Sequence, residues 1–177
     1  MADSKKSVEA AMALSQDEST RLGLAFGTQK ITPGQHVPKG DAQSAPELSF
    51  NGATGTYIVI SIDLDAPFPA FSVLGPILHW NQPGLKPQPA ADGTTHLVAN
   101  NVPFIADYSG PGPPPPSRPH RYVFLLYEQP EGFDVAGFAP PGGAKVRIGK
   151  RVRYDLKAFE VAAKLGPVVA CNYFVSN

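Results

Sequence analysis

The chain has 177 residues, 42% of them hydrophobic, and its 15 Lys plus Arg balance 15 Asp plus Glu. A neutral chain of this kind carries no strong field for nucleic acid or an anionic membrane and no apolar run long enough to cross a bilayer, yet it is long enough for one domain with a substantial core. Its 17 glycines and 20 prolines stop short of the level that signals disorder and predict a loop-rich, mostly β protein, while its single cysteine excludes an intrachain disulfide.

From the N-terminus, Val8 to Leu14 places apolar residues at helical spacing and Leu22 and Leu24 follow a polar break, so residues 1–25 are predicted helical. The opening MADSKKSVEAAMALSQDEST has no apolar core of the secretory kind, and a soluble cytoplasmic protein without stable membrane insertion is expected. ITPGQHVPKG reads as turns, ELSF as a short strand and NGATG as a turn. TYIVISIDLDAP is the clearest strand. Alternation sets Ile58, Ile60 and Ile62 on one face and Tyr57, Val59, Ser61 and Asp63 on the other. Both faces are apolar early on, as in a central strand covered on both sides. ILHWN is another short strand, with Ile77, His79 and Asn81 on one side and Leu78 and Trp80 on the other. THLVA is a third candidate.

RYVFLLYEQ is again apolar on both faces, with His120, Tyr122, Phe124 and Leu126 sharing one of them. GFDVAGFAPPGGAK reads as an irregular connection. YDLKAFEVAAKLGP reads as a helix capped by Asp155, striped by Leu156, Phe159, Ala163 and Leu165, and stopped at Gly166-Pro167. VVACNYFV is the last strand, with Cys171 a buried, inert thiol. No repeat or second domain is visible, so residues 1–177 are expected to form one domain of packed antiparallel sheets with helices at the periphery. The basic group Lys145, Arg147, Lys150, Arg151 and Arg153 reads as a solvated face, with a partner or phosphate surface as the alternative.

Polar, titratable residues stand at the ends of the apolar strands: Asp63 and Asp65 in DLDAP, His79 in LHW, and His120 with Tyr122 in PHRY. Burying such groups is costly unless they find partners, so neighbouring strands would bring them together in one pocket. A protonated His and loop N–H groups from the glycines of SGPGPP would then make an anion site. The chain has no G-x-S-x-G elbow and no phosphate-binding P-loop, and its His and Asp spacing matches no structural zinc pattern, so neither a metal nor a cofactor is expected.

Two motifs resemble the phosphatidylethanolamine-binding protein family. One is DLDAP at 63–67 followed by LHW at 78–80; the other is GPGPP at 110–114 followed by HRYVFLLYEQ at 120–129. The phrasing APFPAFSVLGPILHW is similar to fungal members. The resemblance implies a central antiparallel β-sheet packed with a second, smaller sheet and peripheral helices. It also implies a pocket for an anionic small molecule or phospholipid head group, formed by Asp63, Asp65, Pro67, His79, Gly110, Gly112, Pro113, Pro114, His120 and Tyr122. Ala66-Pro67 is the candidate cis bond. Partners implied by the family are kinases and serine carboxypeptidases, engaged by a non-catalytic inhibitor. The alternative is a fungal natural-product enzyme, in which His79, His120, Asp63 and Tyr122 would catalyse cyclisation or dimerisation of anhydride (maleidride-type) intermediates. The chain departs from the family pattern at Leu64, at Ile77 and at Pro115 to Pro119.

Overall fold

A computed structural model describes residues 2–177. Nine strands form a single curled sheet: β1 Gly23–Phe26, β2 Gln29–Lys30, β3 Gln35–His36, β4 Glu47–Ser49, β5 Tyr57–Asp63, β6 Ile77–Pro89, β7 Thr95–Val98, β8 His120–Glu128 and β9 Val168–Ser176. Their order is β2-β1-β4-β7-β6-β5-β8-β9-β3. Among these nine strands the β3–β9 pair is parallel and the other pairs are antiparallel. Three α-helices lie outside it: α1 Ala2–Ala11, α2 Val135–Phe138 and α3 Leu156–Ala162. Among the described residues no helix is long and apolar enough to cross a membrane.

The mostly β architecture is the expected one, and the smaller second sheet is the far wing of the same sheet. The hinge between the wings is β6. Its first part pairs with β5 and its last four residues pair with β7. The prolines of QPGLKPQP disguised this thirteen-residue strand as a five-residue one. Pro83 and Gly84 sit at a register shift in the β5 pairing, the place where a missing N–H does least damage. Gly84 has φ of +73°, and a Cβ there would lie 2.6 Å from the Val102 side chain. Both facts require glycine at the corner.

β5 and β8 lie side by side at the centre, and their predicted alternation is kept. Every residue of β5 is buried. Tyr57, Val59, Tyr122, Phe124, Leu126 and Phe174 build the core on one face. Ile58, Ile60, Ile62, Val123, Leu125 and Cys171 build the other. α3 covers the second core through Leu156, and Asp155 caps it by accepting from the Ala158 N–H at 3.0 Å. It ends at Ala162, short of the predicted Gly166-Pro167 stop, because Lys164 turns into a left-handed φ of 54°.

The N-terminal expectation needs correction. Helical structure over 1–25 reaches only Gln16, and residues 23–26 form β1. Leu24 pairs with Leu48 of β4, the Leu22 N–H donates to the Cys171 carbonyl of β9 at 3.1 Å, and both leucines join the core of Phe174, which short local windows do not reveal. β3, two residues long, lies within ITPGQHVPKG, where turns are expected, and the equally short β2 carries no pattern of its own.

The β6 corner yields a test. Gly84→Ala is expected to cost about 1–3 kcal/mol of stability. Urea denaturation of the two proteins measures it, and an unchanged midpoint would show that the corner relaxes freely.

Candidate functional site

Asp63 ends β5 and lies opposite Tyr122 on β8. The next residue of β8 on that face is His120, so the register alone brings carboxylate and imidazole together. His120 Nδ1 lies 2.8 Å from Asp63 Oδ2, with both residues buried. A carboxylate only accepts, so Nδ1 carries a proton. His120 Nε2 meets Ser117 Oγ at 2.8 Å, so both ring nitrogens are occupied within the protein.

His79 reaches the same place from β6 by a different device. Ser61 pairs with Trp80 and Ile62 with Leu78, leaving His79 as the extra residue of a β-bulge. The bulge breaks the alternation predicted for ILHWN. Leu78 joins the core of Ile62, whereas Trp80 joins the core of Tyr57, so the two face opposite ways instead of together. His79 packs edge-on against Tyr122 with ring centroids 5.0 Å apart. Its Nδ1–H donates to the Ser109 carbonyl at 2.5 Å. Nε2 takes no hydrogen-bond partner among the described residues. Burial lowers the pKa of His79 below the ordinary 6.5, against the opposing pull of the Ser109 carbonyl and Asp63. At neutral pH the ring is therefore neutral, with a lone pair at Nε2.

Tyr122 is stacked on Phe174 at 5.3 Å. Burial, reinforced by the Asp63 charge, raises its pKa, so the hydroxyl stays protonated and able to donate. The backbone N–H of Gly112 approaches this hydroxyl from the proline loop. Gly112 faces open space, whereas a Cβ at Gly110 would strike the Ala42 carbonyl and Gln43 at 2.8 Å. Gly110 is thus glycine because the 42–43 backbone packs on it, not because a ligand comes close. Pro113 is buried, Pro114 is exposed and Pro67 is half-buried. Ala66-Pro67 is cis, as expected, and so are Gly75-Pro76 and Pro115-Pro116.

Asp65 does not join the other candidates. Its carboxylate accepts from the Arg121 backbone N–H at 2.9 Å, from Nε at 2.8 Å and from Nη2 at 2.7 Å. Arg121 reaches on to Glu9 of α1 at 3.2 Å. Asp65 is one end of a structural clamp, because Arg121, one residue past His120, points to the opposite face of β8. Burial pushes the Asp65 pKa up, but the hydrogen bonds and charge of Arg121 outweigh it and hold the group below 3.8. Among the described residues, no group of three or more His, Cys, Asp and Glu is placed to hold a metal ion.

Arg151 was read as part of a basic surface, but it is 4% exposed. It forms an ion pair with Asp107 and donates to the carbonyls of Leu78 and His79 at 3.3 Å and of Asp107 at 2.9 Å. It ties the bulge to the segment that carries Ser109, and so fixes where His79 stands. Nothing in its sequence neighbourhood distinguishes it from the exposed Arg147 and Lys150. Trp80, beside His79, lines a cavity of about 700 Å³ together with Leu48, Leu85 and Leu97.

Residues 27–170 match the family model described as phosphatidylethanolamine-binding protein. The chain belongs to the phosphatidylethanolamine-binding protein family. One relative is the phomoidride biosynthesis cluster protein N of Talaromyces stipitatus, 29% identical over 89% of this chain and 85% of its own. Among solved structures, carboxypeptidase Y inhibitor, in complex with its cognate proteinase, has the same fold. It aligns over 96% of this chain and 95% of its own, at 21% identity and a TM-score of 0.72. The phosphatidylethanolamine-binding protein of Plasmodium vivax aligns over 88% and 84%, at 17% identity and a TM-score of 0.68.

The clamp in this phosphatidylethanolamine-binding protein has a pH signature. Asp65 has a depressed folded-state pKa, so its contribution to stability is complete above the unfolded value near 3.8 and is lost as pH falls through the folded value. Asp65→Asn should lower stability at neutral pH and flatten its decline below about pH 4. Urea midpoints at both pH values measure this, and parallel declines in the two proteins would refute it.

Proposed function

We propose that this protein binds an anionic head group, phosphoryl or carboxylate, between His79, Tyr122 and the Gly112 N–H, and that it acts by engaging a protein partner. The observation that carries the binding reading is the pairing of a buried histidine lacking a partner at Nε2 with a buried phenol held protonated. The other candidate residues are already engaged: Asp63 by His120, His120 by Ser117, and Asp65 by Arg121. An arriving anion would draw a proton onto His79 and turn Nε2 into a charged donor. An apolar portion of the ligand would find room in the cavity beyond Trp80. A protein partner is supported by the shared fold with carboxypeptidase Y inhibitor, whose structure includes its cognate proteinase. A serine carboxypeptidase or a kinase is the partner class that follows.

The second reading is acid–base catalysis on an anhydride-bearing intermediate, with His79 as base and Tyr122 as donor. It is favoured by similarity along most of the chain to a biosynthesis cluster protein. It predicts a changed product profile when the protein is incubated with such intermediates.

Calorimetric titration with phosphate and with phosphorylethanolamine distinguishes these readings from a pocketless scaffold. Affinity should rise as pH is lowered from about 7.5 to 5.5, because His79 must gain a proton to hold the anion. Tyr122→Phe should weaken binding about tenfold, the value of one hydrogen bond to a charged group. Absence of heat at every pH would sink the binding proposal.

A further inference from the structure

We propose that Ser117, His120 and Asp63 form a catalytic triad, and that Ser117 is an acyl-accepting nucleophile. Ser117 Oγ lies 2.8 Å from His120 Nε2, and His120 Nδ1 lies 2.8 Å from Asp63 Oδ2. This is the order of atoms that serine hydrolases use on unrelated folds, where geometry and not chain position defines the triad. The supporting pair is rigid: His120 is 1% exposed and Asp63 3%. Asp63 accepts from Nδ1–H and so leaves Nε2 as the acceptor facing the serine. Ser117 itself is only half-buried, on a loop that projects to solvent between Pro116 and Pro119. A buried base beneath a reachable hydroxyl is the arrangement that an attacking serine needs.

The hydroxyl proton has two acceptors at the same distance, His120 Nε2 and the Arg118 carbonyl, each 2.8 Å away. Rotation towards Nε2 activates the oxygen and rotation towards Arg118 idles it. The Arg118 N–H takes no hydrogen-bond partner among the described residues. In α/β-hydrolases the N–H of the residue after the nucleophile is one of the oxyanion donors. The absence of a G-x-S-x-G elbow does not bear on this serine, because the triad is carried by a proline loop and not by a strand-to-helix turn.

The class of substrate is a carboxylic ester or thioester. Ser117 Oγ forms a bond to the acyl carbon as its proton passes to His120 Nε2. The tetrahedral adduct then expels the alcohol or thiol, which takes that proton. Water hydrolyses the resulting acyl-serine by the same transfers in reverse order. Ser117 and His120 are the catalytic residues, and Asp63 is a positioning residue that holds the His120 tautomer.

The test is covalent labelling of the full chain with a fluorophosphonate probe, read by intact mass and peptide mapping. One probe per chain at Ser117 is expected. Labelling should vanish in Ser117→Ala and slow at least tenfold in His120→Gln, and p-nitrophenyl acetate should show an acylation burst that Ser117→Ala lacks. Asp63→Asn, which fits the same space but favours the wrong tautomer, should shift the pH profile of labelling while the chain stays folded by circular dichroism. Ser117 is half-exposed, so Ser117→Ala folds normally and remains an informative control. No added mass on the wild-type protein overturns the proposal, and so does labelling that survives Ser117→Ala or ignores His120→Gln. Phosphate binding at His79 does not depend on Ser117, so calorimetry on Ser117→Ala separates failure of this proposal from failure of the anion-binding reading.

Discussion

A carboxylate and an imidazole buried at the end of a sheet covered on both faces are costly unless each satisfies the other. The register of β5 against β8 meets that condition. It places Asp63 opposite Tyr122 and within 2.8 Å of His120. The same register aligns Ile60 with Leu125 and Val59 with Leu126 in the two cores. A slip of one residue would exchange the faces of a whole strand, exposing its apolar set and separating the acid from the histidine. Hydrophobic packing and site geometry are therefore one specification, and neither can drift without the other.

Around that pair the site is completed by irregularities. A bulge in β6 turns His79 and Trp80 onto the Tyr122 face, and buried Arg151 holds the bulge to the segment of Asp107 and Ser109. The proline loop adds Gly112 and Ser117 from above. These contributors come from different stretches of chain, and His79 is anchored at Nδ1 by the Ser109 carbonyl while its Nε2 takes no partner among the described residues. That open nitrogen belongs to a ring that burial keeps neutral.

Much of this was legible beforehand. The continuous apolar runs TYIVISIDL and RYVFLLYE, rich in β-branched and aromatic residues, identified the two central strands, and the two-residue repeat of any strand then assigned their faces. Asp63, His79, His120 and Tyr122 were recognised as polar groups that apolar strands would not tolerate without company, and the structure brings these four together. Asp65 was grouped with them wrongly: two residues after Asp63, it lies past the end of β5, where Arg121 captures it. β6 was cut short because its prolines signal breaks in any local window, whereas the sheet uses them at a corner. β1 looked like helix because a four-residue strand with one leucine inside it and one just before it carries too little periodicity to decide.

The sequence by itself determined the fold class, the inward faces of β5 and β8, and the inventory of polar groups at their ends. Those are local properties, set by side-chain alternation and turn chemistry. Only the tertiary structure decided which of those groups are free to act. The partner of a buried polar group comes from a distant stretch of chain. Arg121 is 56 residues from Asp65, Ser109 is 30 from His79, and Asp107 is 44 from Arg151. Until the sheet curls and brings these segments together, a structural clamp and an open binding valence are the same residue types in the same pattern.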